Sequence, residues 1–255
     1  MPLIPDMELA RRFLAAHPPP GALLHVGLVG AHDYGFPSPD SDLDLKGMHL
    51  APTTSLLGLT PISDTHDVLT ELEGVELDLT THEAGKALAL LLRGNGNVLE
   101  RLMAPVQAYA TDALDELRAL ATGALSKRFA QHYRGYFGGM VREHEREPRA
   151  KSALYACRVA LTGIHLLGAA ECRTDVTSNA AEYGLDVTEL IAIKRAGPEK
   201  GPLPAALDGE LRASWPRLDG MLADALERTS LPDEPPNAAA IEAWLVAARL
   251  AALDR

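Results

Sequence analysis

The stretch GAHDYGFPSPDSDLDLKG, residues 30–47, decides what kind of fold this chain makes. Its last third sets Leu43 and Leu45 against Asp42 and Asp44, and a period of two marks a strand with one buried and one polar face. The segment LDLKGMHLAP, residues 43–52, therefore reads as a half-buried strand, and the two carboxylates share a face. A loop rich in glycine, proline and serine separates it from LLHVGLVG, residues 23–30, an apolar run of strand length that reads as a buried central strand. Further on, VELDLTTHE sets Val75, Leu77 and Leu79 against Glu76, Asp78 and Thr80. This is a second strand with a polar face, and it brings a third acidic position.

Around these strands the periodicity is helical. Leu9, Phe13 and Leu14 fall on one side of a predicted helix over 7–17, with Asp6 as its N-cap. From about residue 83 onward, GKALALLLRGNGNVLERLM predicts a helix ending at Arg93, a glycine-containing break over 94–96 and a short helix over 97–102, with Asn95 and Asn97 as capping residues. Long helices are predicted over 112–145, 149–167, 187–195, 204–228 and 237–253, with SLPDEPPN, residues 230–237, as a proline-rich connector. No internal repeat is visible. Strands first and helices afterwards define an α+β chain: a small mixed β-sheet core with flanking helices over 1–105, then a helical bundle over 106–255.

Composition narrows the function. Of 255 residues 47% are hydrophobic and only 5% aromatic, with alanine and leucine abundant, which favours helix. A net charge of −11 argues against a protein that coats nucleic acid non-specifically, while leaving room for a local basic groove. Cys157 lies in an apolar helical pattern suited to a reduced, buried thiol, and neither it nor Cys172 has zinc spacing. The nine histidines show no H-E-x-x-H arrangement. The N-terminus lacks a basic segment followed by a long apolar core, and no apolar run approaches the roughly 20 residues that cross a bilayer. The expectation is a soluble, cytoplasmic protein.

Carboxylates on one face of adjacent strands suit a hard divalent cation, because magnesium takes oxygen ligands and keeps the rest of its shell for water and phosphates. Two such ions about 3.5–4 Å apart clamp the attacking and leaving oxygens of phosphoryl transfer. Asp42 and Asp44 are the candidate bridging ligands, and Asp78, with Glu76 as its competitor on the same face, is the candidate third ligand and base. Gly30 and Gly35 flank a turn whose backbone N–H groups could approach a phosphate closely, and His32 inside it is a candidate phosphate donor.

These residues resemble the DNA polymerase beta-like nucleotidyltransferases, and more specifically their RNA repair branch, called RlaP. The resemblance rests on residues 30–47, on Asp78 in ELDLTTHEAGK and on GNGNVLERL at 94–102. In that branch the first motif reads G-S-x-x-Y-G followed by S-D-x-D-x-x-G; here Ala31 stands where serine is expected, and Gly96 replaces a proline. The resemblance implies a polymerase beta-like catalytic domain over 1–105, with Asp42, Asp44 and Asp78 holding Mg2+, or Mn2+. It implies NMP transfer from a nucleoside triphosphate to an acceptor hydroxyl, with release of pyrophosphate. Gly30, Ala31, His32, Tyr34, Gly35 and Ser41 would form the nucleotide-binding turn, and Lys86 would follow the third carboxylate. Through the looser match of the helical part, Lys151, Tyr155 and Arg158, at i, i+4 and i+7, would present two cations and a phenol to the triphosphate. An RNA end is the implied acceptor. A protein acceptor, as in toxin–antitoxin pairs, or a small-molecule acceptor fits the acidic charge equally well, and Ala31 leaves open a nucleotide-binding regulatory module without turnover.

Overall fold

The computed structural model describes residues 4–196 and 203–253; residues 1–3, 197–202 and 254–255, parts of the segments read above, lie outside the described residues. The chain divides into two compact units. One contains the described residues of Met1–Asp33, Asp40–Ala124 and Pro235–Arg255, the other Tyr34–Pro39 and the described residues of Leu125–Glu234.

The first unit is built on a sheet of β1 (Ala22–Val29), β2 (Leu43–Leu50), β3 (Thr65–Leu72), β4 (Val75–Glu83) and β5 (Gln107–Ala110), in the order β3-β4-β2-β1-β5. Only β2 and β4 run parallel; the other neighbours are antiparallel. Helix α1 (Met7–Ala16) begins where the Asp6 carboxylate accepts from the N–H groups of Glu8 and Leu9, at 3.1 and 2.9 Å. Its Leu9, Phe13 and Leu14 pack with Val26, Leu28, Leu43, Leu45, Leu77 and Leu79, so the apolar half of each alternation faces this helix.

Side chains opposite one another in a ladder point to the same face. Asp44 and Lys46 therefore share the second face with their register partners Asp78 and Thr80, and with Val29 and Gly27 of β1. Part of this face is covered. Helices α2 (Thr53–Leu56), α3 (Ala84–Leu92) and α4 (Gly96–Met103) follow β2 and β4. Gly27 lets the end of α4 approach closely, since a Cβ there would meet the Arg101 carbonyl oxygen at 2.8 Å. The Asn95 side chain accepts from the Val98 N–H at 3.2 Å and caps α4, as the sequence predicts.

After β5, α5 (Ala113–Gly123) completes the first pass through this unit. The second unit follows with α6 (Arg128–Arg146), α7 (Ala150–Ala169), α8 (Val176–Tyr183), α9 (Thr188–Ala196) and α10 (Ala205–Arg228). The chain then returns to the sheet unit with α11 (Ala238–Ala251). There Arg249 bonds both oxygens of the buried Glu83 carboxylate at 3.1 Å, and Trp244 donates to Glu116 at 2.8 Å. Of the stretch 106–255, then, β5, α5 and α11 pack with the sheet.

Three features differ from the expectation. The helix predicted over 112–145 is two helices, because the chain breaks after Gly123, where the Asn237 side chain presses on the backbone and donates to the Leu120 carbonyl at 2.8 Å. Strands β3 and β5 and helices α2 and α8 were not predicted. The first is a mostly polar edge strand and the second spans four residues, so neither offers a long apolar pattern. Helix α7 is on average apolar enough and long enough to cross a bilayer, which no run in the sequence suggested, but 83% of it is buried inside the structure. It is the core helix of its unit, and burial pushes its Cys157 thiol up to about 12.

A buried polar relay ties three helices of this unit. The His144 ring of α6 pairs through Nδ1 with the Ser152 hydroxyl of α7 at 2.8 Å and through Nε2 with Asp208 of α10 at 2.9 Å. His144 is fully buried, so removing it leaves a cavity and takes one partner from Ser152, which keeps the Arg149 carbonyl, and one from Asp208, which keeps Arg212. His144→Ala should cost about 2–4 kcal/mol in urea unfolding, and a loss below about 1 kcal/mol would show that the relay adds little.

Candidate functional site

On the polar face, Asp44 of β2 and Asp78 of β4 stand directly opposite each other in the parallel ladder. Neighbouring strands lie about 4.8 Å apart, so the two half-buried carboxylates are adjacent. Asp42 precedes β2 by one residue, two positions before Asp44, and Ser41 precedes it; both are half-buried.

Beside Asp44 in the ladder is Val29, and the chain turns immediately after it. Residues Gly30–His32 form one turn of 3-10 helix, closed by the Asp33 N–H on the Gly30 carbonyl at 3.1 Å. Gly30 has φ +68° and a Cβ on it would collide with the Asp44 carboxylate. Only glycine tolerates both conditions, so the turn and the carboxylate are packed as one object. Ala31 and His32 continue this turn, half-buried.

A cation, Lys46, stands beside the acidic pair, whereas Lys86 stands at the other end of β4, where Thr65 pairs with His82, four residues beyond Asp78. Lys46, one pleat beyond Asp44, reaches across to β4 and pairs with Asp78 at 2.6 Å. The sequence reading missed it, although its position two residues after Asp44 places it on the same face. Lys86 of α3 bonds Asp64 at 2.8 Å and the Thr65 hydroxyl at 2.5 Å, at the start of β3. Glu76 is exposed and lies opposite Glu71 of β3, whereas Asp78 lies between β3 and Asp44.

The remaining predicted residues belong to the helical unit. Tyr34 packs edge-on against Tyr155 at 5.8 Å, and the Arg158 guanidinium lies 3.9 Å above the Tyr34 ring. Arg158 is 1% exposed, while Tyr155 and Lys151 are half-buried on the same helix. Gly35, at φ +88°, leaves room for the Asp175 carboxylate, and the Val176 N–H donates to the Tyr34 carbonyl at 3.0 Å. Lys194 donates to Ser38 at 2.7 Å, both buried. The structure thus gathers Tyr34, Tyr155 and Arg158 in one aromatic–cation cluster and Gly30, Asp44 and Asp78 in one acidic cluster.

Among the described residues, no three histidine, cysteine or acidic side chains close on a single point as a ready-made metal site. The donor set nonetheless fits magnesium, which commonly takes one or two carboxylates and leaves the other positions to water and phosphate oxygens. Asp44 and Asp78 would supply that pair.

Comparison with known proteins agrees with the sequence motifs. The family described as the RNA repair pathway DNA polymerase beta family, RlaP, matches residues 7–247, and the chain belongs to it. An uncharacterized protein of Methanocaldococcus jannaschii is 24% identical over 223 residues, covering 86% of this chain and 91% of that protein. Among solved structures, a nucleotidyltransferase-like protein from Exiguobacterium sibiricum matches at 12% identity over 86% of this chain and 75% of its own, with a TM-score of 0.35.

Two outcomes follow from this geometry. Gly30→Ala should destabilise the protein by at least about 2 kcal/mol, from the forced positive φ and the collision with Asp44; denaturant unfolding at wild-type stability would contradict the packing described. Burial holds His25 down at about 4 against an ordinary 6.5, with Arg118 and Arg101 adding to the effect and a bond to Gln107 opposing it. The unfolded chain therefore binds a proton at this residue between about pH 6.5 and 4 that the folded chain does not, and stability falls as pH drops through that window. His25 accounts for on the order of 3 kcal/mol of that loss, so His25→Gln should flatten the decline in urea midpoint between about pH 7 and about pH 4.5.

Proposed function

We propose that this chain is a magnesium-dependent nucleotidyltransferase, transferring an NMP group from a nucleoside triphosphate to an acceptor hydroxyl. What supports the reading is the register of Asp44 against Asp78 on the polar sheet face, in a chain of the RlaP family. A bound divalent cation would neutralise phosphate charge and polarise the reacting phosphoryl group. Asp42 and Asp44, spaced one pleat apart, and Asp78 are the oxygen donors that would hold it. Asp78 also orients the acceptor hydroxyl and takes its proton. The acceptor oxygen then forms its bond to the α-phosphorus while the bond from that phosphorus to the bridging oxygen breaks, and pyrophosphate leaves. The turn at Gly30 keeps the Asp44 carboxylate fixed and offers backbone N–H groups to the phosphates.

The family description favours an RNA end as acceptor. Incubation with each labelled NTP, magnesium or manganese, and RNA of defined ends should give a transferred NMP that Asp42→Ala and Asp44→Ala each reduce by at least about 100-fold. Transfer that survives both changes would sink the mechanism, and NMP found by mass spectrometry on a protein instead would move the acceptor from RNA to protein. A second reading, a nucleotide-binding module without turnover, is favoured by Ala31, which removes the hydroxyl expected to bond a phosphate. It predicts calorimetric binding of NTP and magnesium with no product under any of these conditions.

A further inference from the structure

Lys46 is a polar residue of this face whose place the proposed chemistry does not explain. All three of its contacts lie on the neighbouring strand: the Asp78 carboxylate oxygen Oδ1 at 2.6 Å, the Thr80 hydroxyl at 3.1 Å and the Asp78 backbone carbonyl at 3.3 Å. An ammonium has three N–H donors, and these three acceptors match them. The side chain of Lys46 is 14% exposed, that of Asp78 41%. The cation is thus the inner partner and the carboxylate the outer one, open to whatever approaches the face. A surface ion pair would hold Asp78 loosely, but here one end is anchored by two further bonds to β4.

We propose that Lys46 is a positioning residue for Asp78: it holds Oδ1 and leaves the other oxygen as the one presented to metal and acceptor. This rests on the reading of Asp44 and Asp78 as metal ligands. The arrangement carries an opposing effect. A cation held against Asp78 repels a divalent ion bound to the same carboxylate, so Lys46 weakens metal binding while it improves the aim of the base. Affinity for metal and rate of transfer should therefore move in opposite directions when its charge is removed. A lysine serving only to stabilise the sheet would, when lost, weaken both.

The test uses the full-length protein and Mn2+ as the probe, with binding read by electron paramagnetic resonance and transfer by the labelled-NTP assay. Lys46→Met should tighten Mn2+ binding by at least about 5-fold and lower kcat by at least about 10-fold with little change in the KM for NTP. Lys46→Arg, which keeps the charge and a donor to Oδ1, should restore Mn2+ affinity to near wild type and recover part of kcat. Unchanged or weaker Mn2+ binding by a folded Lys46→Met protein, with Mn2+ binding to wild type lost in Asp44→Asn, overturns the role of Lys46 alone. No Mn2+ binding to wild type overturns the metal site and this role together. If Lys46→Met does not fold, Lys46→Gln, which keeps N–H donors but not the charge, takes its place: tighter Mn2+ binding with a lower kcat supports the role, and unchanged or weaker Mn2+ binding overturns it.

Discussion

The parallel register between β2 and β4 is the constraint on which the rest of the sheet unit depends. It sets Leu43 and Leu45 beside Leu77 and Leu79 against α1, and in the same stroke sets Asp44 beside Asp78 on the opposite face. Each buried leucine contributes roughly 1.5–3 kcal/mol. A slip by one residue would turn the leucines outward and drive the carboxylates into the core, so the cost of misregister is large and the acidic pair is as firmly specified as the hydrophobic one. The acidic pair is thus a by-product of the core, held in place by apolar side chains on the opposite face.

Much of this was legible in the sequence, because the alternation in LDLKG and VELDL shows at once which residues face inward and which face out. The alternation says nothing about which strand neighbours which or which acidic residue is opposite Asp44, so it left Asp78 and Glu76 as competitors, and the family motif favoured Asp78. Lys46 escaped notice for a different reason: a lysine on a polar face looks like ordinary solvated charge until its reach across to Thr80 and Asp78 is known. The break between α5 and α6 was hidden because apolar spacing continues through it, and the restraint that ends α5 comes from Asn237, more than a hundred residues away.

The motif loop carries a further lesson about what a conspicuous residue is for. Gly35 and Tyr34 sit in the same short motif as Gly30, yet Gly30 makes room for Asp44 and Gly35 for Asp175. Both glycines relieve the crowding of a carboxylate against backbone. Phosphate binding does not have to be invoked to explain why either position takes glycine. Arg158 is comparable: buried over the Tyr34 ring, it has a structural role that a count of basic residues on a helix face would not reveal.

Helix α11 bears on how the chain acquires its structure during synthesis. Glu83 is buried in the sheet unit with Arg249 as its counter-charge, and Asn237 secures the end of α5. A ribosome delivers residues in order, so the acidic side chain waits for its partner while more than a hundred and sixty further residues emerge. Until then an uncompensated carboxylate sits where the finished unit has none, and the sheet cannot reach its final stability. The helices from α6 to α10, by contrast, are consecutive and are complete as soon as α10 has left the exit tunnel. The part of the chain that begins first is therefore the part that finishes last.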